Sequence, residues 1–230
     1  MSFFSKLNPA NRPYHPVTSN FSVIFATNFR LIGFFLPSLL RFLAFLYLGG
    51  LVFLLAAALL LLPAGPAVAA AYDIGYQLCM HGDGTVPRSF MRSYKMNFKQ
   101  GVAAMAVLLP FLSMLVMILI IQAERPLWLD LCVLLSGMVL MAFSIFTFSH
   151  IALIEMPFGR ILKNALVLVP LATWRSALTA AVQTCFVVLL FPLLAVMILL
   201  FIFAGPALLI VWSCHLLWPV MEQVIREESE

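Results

Sequence analysis

Charge is what this sequence has least of. Only 10% of its 230 residues are charged, with 9 acidic against 13 basic side chains, whereas a soluble chain carries about 25%. So little charge excludes a water-soluble fold, since 64% of the residues are hydrophobic and mean hydropathy is +1.09. Cysteine is nearly as sparse. Cys79, Cys132, Cys185 and Cys214 stand alone, with no CxxC or Cys/His spacing, which argues against a metal site or a disulfide framework and reads them as small buried hydrophobes. There is no HExxH, no nucleophile elbow and no glycine-rich phosphate loop, so nothing has the spacing of an active site, and neither a cofactor nor a catalytic residue is assigned. The net charge of +4 comes without any nucleic-acid-binding motif, and the basic residues flank apolar runs, where they orient a protein in a bilayer.

What is present is length in apolar runs. A crossing takes about 20 apolar residues, and the sequence predicts an all-α, polytopic membrane protein with about six transmembrane helices, the second and sixth short. Residues 1–41 form a polar, proline-containing tail and an interfacial helix marked by Asn28, Arg30, Pro37 and Arg41. Residues 42–80 form a helical pair, 81–100 a basic surface helix, 101–151 a second pair, 155–176 a second amphipathic segment, 177–220 a third pair and 221–230 an acidic tail. No segment outside the spans is long enough for a separate domain. The run at 42–62 exceeds a signal-peptide core and follows 41 residues, so "AVA" at 67–69 is read as part of an uncleaved anchor.

Topology follows from the basic residues. With both termini cytoplasmic, every Lys and Arg except Arg125 falls on the inner side or its boundary, as the positive-inside bias requires. That order puts the turn at 64–67 outside and the start of the third crossing, Gly101, inside. "AGPA" occurs at 64–67 and again at 204–207, each after a long apolar run. An internal duplication and a repeated Gly-Pro turn both account for it.

Three groups of residues stand out. Asp73 sits in an apolar helix with Gln77 one turn on and Tyr72 and Tyr76 beside it. A carboxyl there must be protonated, paired or facing a wet cavity, so these four are a candidate polar site, either a solute or proton position or a hydrogen-bonded anchor between helices. Ala67, Ala71 and Gly75 recur every fourth residue and, with Gly65 and Pro66, form a candidate packing face. From Pro66 to Met80 the helix spans only about 22 Å against about 30 Å of hydrocarbon, which fits a sheltered or re-entrant helix. Arg88, Arg92, Lys95 and Lys99 form one basic stripe with Asn97 and Phe98 nearby, while Phe90, Tyr94 and Phe98 share another face, giving a candidate cytoplasmic surface for a partner or for lipid. His150 and Glu155 read as border residues, and His215 as a satisfied core histidine.

The stretch "GPAVAAAYDIGYQLCMHGDGTVPRSFMRSYKMNFKQ", 65–100, resembles the YesL-like family of bacterial integral membrane proteins. The resemblance rests on a Gly-Pro-Ala turn (Gly65, Pro66, Ala67), a small-residue helix, Gly84, and a phenylalanine-rich helix closing in "NFKQ" (Phe90, Asn97, Phe98, Lys99, Gln100). "SKLN" at 5–8 and "LKNAL" at 162–166 are similar to its other recurring pieces, while Asp73 and Gly75 depart from its aromatic or aliphatic pattern and His81-Gly82 shortens its charged run. Such proteins have no established molecular function and often accompany carbohydrate ABC importers. The resemblance thus implies a non-enzymatic accessory of the bacterial cytoplasmic membrane, with lipids, importer permease subunits or a second copy as partners. "EMPFGR" at 155–160 lacks the alanines and spacing of the permease coupling loop, so the chain reads as a companion of a permease. A small transporter or channel lined by Asp73 is the alternative.

Overall fold

The computed structural model describes residues 21–48, 59–80, 90–121, 126–170, 174–190 and 205–227. The expected N-terminal tail, the middle of the run at 42–62, the loop containing Gly84 and Arg88, and the end of the run at 177–203 lie outside the described residues, while the expected acidic tail at 221–230 is helical through Glu227. All regular structure among the described residues is helical: α1 (Phe21–Leu48), α2 (Ala64–Met80), α3 (Phe90–Met96), α4 (Phe98–Ile121), α5 (Leu127–Leu153), α6 (Phe158–Leu168), α7 (Trp174–Leu190) and α8 (Gly205–Glu227). Four stretches among them are long and apolar enough to cross a membrane: Leu59–Cys79, Phe98–Leu115, Leu127–Leu153 and Gly205–Ile225. The chain is a multi-pass helical membrane protein by that measure.

Four prolines stand at helix starts, where a missing N–H costs least, while Pro37, Pro110 and Pro219 lie inside α1, α4 and α8. Pro66 lies in the first turn of α2 and Pro206 in that of α8, so each "GPA" opens a helix, while Pro126 and Pro157 cap α5 and α6. A helix start leaves N–H groups without intrahelical acceptors. In α8 one of these, on Ala207, donates to the side chain of Asn28 at 3.1 Å. Asn28 is fully enclosed, so it serves the bundle as a long-range cap and not as a polar mark on an interfacial helix. α1 itself runs unbroken through Arg41 to Leu48, past the expected boundary at 41.

α2 is the hub. It packs against α1, α3, α4, α5 and α8, and its alanines let so many neighbours approach. Two-thirds of the window Leu59–Cys79 (67%) is enclosed by protein, against 22% for Phe98–Leu115 and 28% for Leu127–Leu153. The outer parts of α4 and α5 instead expose Phe111, Met114, Trp128, Leu131 and Leu135, large apolar side chains suited to lipid.

Two contacts set how α2 lies on the helices that follow it. Ser93 meets Asp73, and Gly101 lies against Gly65 and Pro66. One chain rises as the other descends, so α2 is antiparallel to α3 and the opening turns of α4. The turn at 64–67 therefore stands level with Gly101. Opposite membrane faces are separated by about 30 Å of hydrocarbon, so the six-span order, which puts this turn outside and Gly101 inside, does not fit the packing and is corrected. Of the alternatives for α2, enclosure by neighbouring helices is the one observed.

α2 and α8 run parallel. Tyr72, Gly75 and Tyr76 meet Cys214, Ile210 and Trp218: the Cys214 thiol lies 3.8 Å from the Tyr72 carbonyl, and the Tyr76 and Trp218 rings are 6.0 Å apart. A Cβ on Gly75 would come within 2.8 Å of Cys214 Sγ, with the next contact at 3.6 Å. Gly75→Ala is expected to cost about 1–2 kcal/mol through overpacking, and Cys214→Ala in the same chain should restore most of it. Thermal unfolding of the single and double variants in detergent checks this, and a double variant no better than Gly75→Ala alone would refute it.

Candidate functional site

The polar residues of α2 lie on its enclosed middle turns. Asp73 is only 8% exposed. Gln77, one helical turn on, donates its Nε2 to Asp73 Oδ1 at 2.8 Å, and Ser93 of α3 donates its hydroxyl to Oδ2 at 2.5 Å. Tyr76 is fully enclosed and donates its hydroxyl to Ser149 of α5 at 2.9 Å. Tyr72 stacks on Phe148 of α5 at 6.5 Å. Gln183 of α7 donates to Ser213 of α8 at 2.7 Å, whose hydroxyl donates to the Leu209 carbonyl. The four residues singled out in the sequence thus reach α3, α5 and α8 besides their own helix. What this arrangement does chemically is hold helices together: Ser93, Ser149 and Trp218 tie α2 to three neighbours, while the Gln77–Asp73 and Ser213–Leu209 bonds lie within one helix.

The small residues divide between neighbours as well. Gly65 and Pro66 lie on α4, Gly75 lies on α8, and Ala67 and Ala71 are enclosed.

α3 is held from two sides. Phe90 and Ser93, three residues apart on one face, are each 1% exposed. Phe34 of α1 stacks on Phe90 at 6.3 Å and on Tyr94 at 4.7 Å, and the Arg30 guanidinium lies 5.9 Å above the Phe90 ring. Tyr94 donates its hydroxyl to the Pro63 carbonyl at 3.5 Å, and burial holds that hydroxyl above the ordinary tyrosine range, which keeps its proton in place. Arg92, Lys95 and Lys99 are exposed, Asn97 is half-buried, and Arg88 lies outside the described residues. Phe98 departs from the expected apolar face. It is 45% exposed, on the same side as the cations, because the inward positions of this segment are taken by Phe90 and Ser93.

His150 lies in the last turn of α5, at the expected border, but it is fully enclosed there, and its Nδ1–H donates to the Phe146 carbonyl at 2.7 Å. Glu155 is exposed, and so is His215, which was expected in the core. Its neighbour Cys214 faces α2, and the next residue, about 100° further round the helix, points away. The same geometry corrects the cysteines: Cys214 is buried, Cys79 intermediate, and Cys132 and Cys185 lie exposed on apolar helices. Among the described residues no group of His, Cys, Asp and Glu is placed to hold a metal ion.

Sequence reasoning missed Ser93, Ser149, Gln183 and Ser213, and gave Asn28 a different role. For Ser93 a signal existed, since it sits three residues after Phe90 on the face away from the basic stripe. The others are small or amide side chains in apolar runs, where position in sequence does not say which neighbour they meet.

No curated protein and no solved structure matches the chain. Residues 39–120, from the second half of α1 into α4 and so including both sides of the Asp73–Ser93 contact, match the family described as a protein of unknown function, DUF624.

Proposed function

We propose that this protein is a non-enzymatic accessory of the bacterial cytoplasmic membrane that works beside a carbohydrate ABC importer, contacting it through helical faces such as those α4 and α5 leave exposed. The importer association is inherited from the YesL-like resemblance. What favours an accessory over a transporter is the closure around Asp73. A carboxyl that lines a pathway needs a wet face, whereas here both oxygens accept hydrogen bonds from Gln77 and Ser93 and the residue is 8% exposed. The basic helix α3 belongs on the cytoplasmic side by the positive-inside bias.

Purification in a mild detergent that keeps importers intact is expected to recover permease subunits with this chain. Recovery of the chain alone under those conditions would overturn the importer reading. Solute flux in reconstituted vesicles that is lost in Asp73→Asn would return Asp73 to a pathway.

A further inference from the structure

We propose that the outward face of α3 and the first turn of α4 is a binding site for the headgroups of anionic phospholipid in the membrane that holds the protein. Phe90 and Ser93 are locked inward, against Phe34 and Asp73, so the opposite face has one fixed orientation. That face carries Arg92, Lys95 and Lys99, all exposed, and beside them Met91, Met96 and Phe98, which are 46%, 54% and 45% exposed. No acidic residue occurs between Phe90 and Gln100 to neutralise the cations.

The position of the face selects the occupant. Asn97 N–H donates to the Ser93 carbonyl at 3.0 Å and Gly101 N–H to the Asn97 carbonyl at 2.8 Å, so helical bonding runs from α3 into α4 through the turn at Asn97. α4 is a candidate span beginning at Phe98. The three cations therefore stand just before that candidate crossing or in its first turn, beside the part of α2 that runs back along α3. An acidic protein surface would satisfy the cations and leave the methionines and the phenylalanine facing water, whereas a bilayer edge offers phosphates to the first and acyl chains to the second. Each Lys or Arg near an anionic surface contributes about a fivefold gain in binding, so three give on the order of a hundredfold at low salt.

This inference does not depend on the importer reading, because it needs only the chain and lipid. The test is competition for fluorescent phosphatidylglycerol in lipid–detergent micelles, with phosphatidylcholine as the reference. The wild-type chain is expected to prefer phosphatidylglycerol by about a hundredfold at low salt, and R92Q/K95Q/K99Q to lose most of that preference while unfolding at the wild-type temperature, since all three side chains are exposed. R160Q/K163Q, which removes two exposed cations from α6, should keep the preference. Equal binding by the wild type and the triple variant would overturn the proposal. So would a triple variant that holds phosphatidylglycerol normally and instead loses a copurifying protein, or an R160Q/K163Q variant that loses the preference as fully as the triple does.

Discussion

Gly65→Leu is expected to be the most damaging single substitution in the bundle, lowering stability by about 3 kcal/mol or more, at the upper end of overpacking costs. A Cβ at Gly65 would stand 2.9 Å from both the Gly101 carbonyl carbon and Met105 Cβ, and nearer still to the Gly101 oxygen. The clash is reciprocal, because a Cβ on Gly101 would meet Pro66 Cα and N at 2.5 and 2.6 Å. Both neighbours are backbone, so no rotamer change relieves the overlap and the helices must separate. Separating them draws the hub helix from α4 and pulls against the Asp73–Ser93 bond one face away. Circular dichroism melts and gel filtration in detergent measure the effect, and a Gly65→Leu protein that elutes and melts like wild type would show that the contact is dispensable. Gly65→Ala and Gly101→Ala should each cost less, and together less than their sum, because either one alone forces the same separation. Gly33 is the control. A Cβ there meets nothing outside its own helix within 4 Å, so Gly33→Ala should be neutral or stabilise by up to about 1 kcal/mol.

Asp73→Ala is expected to cost about 2–4 kcal/mol, for a different reason. An interhelical hydrogen bond among membrane helices contributes only about 0.6 kcal/mol on average, which would make Asp73 seem minor. Its removal, however, strands the enclosed Ser93 hydroxyl and takes an acceptor from the Gln77 amide, and a buried group left unsatisfied costs about 1–3 kcal/mol. Asp73→Asn keeps the shape and one acceptor oxygen and lets the serine hydroxyl turn to accept, so it should lose about 1 kcal/mol or less. Ser93→Ala removes one donor and leaves the bond from Gln77. The expected order of thermal midpoints is therefore wild type, Asp73→Asn, Ser93→Ala, Asp73→Ala. Asp73→Ala melting with the wild type would mean that the carboxyl holds nothing together, and the anchor reading would fall.

These two residues also show where sequence and structure part. The helical membrane class was written in the composition, because 64% hydrophobic residues in long runs admit no soluble solution. The starts of α2 and α8 were legible from Gly-Pro-Ala, since proline in a first helical turn is a local preference. Gln77 could be paired with Asp73 from sequence alone, because four residues make one helical turn. The basic stripe of α3 needed nothing more than the same periodicity.

Contacts across the bundle were another matter. Nothing local ties Ser93 to Asp73 or Asn28 to the start of α8, because both pairs meet only after separate helices have packed. Nor could the sequence place the turn at 64–67. Hydropathy and charge bias treat each apolar run as an independent crossing, and the approach of Gly65 to Gly101, two backbones brought together by the absence of side chains, sets the turn level with the start of α4 instead of at the far face. Composition and local pattern were enough for the solvent and for the starts of α2 and α8, which depend on residues within a few turns of one another. Which helix is central, which faces are covered and that Asp73 is enclosed by partners came only from packing, because those depend on which small residues let which backbones close.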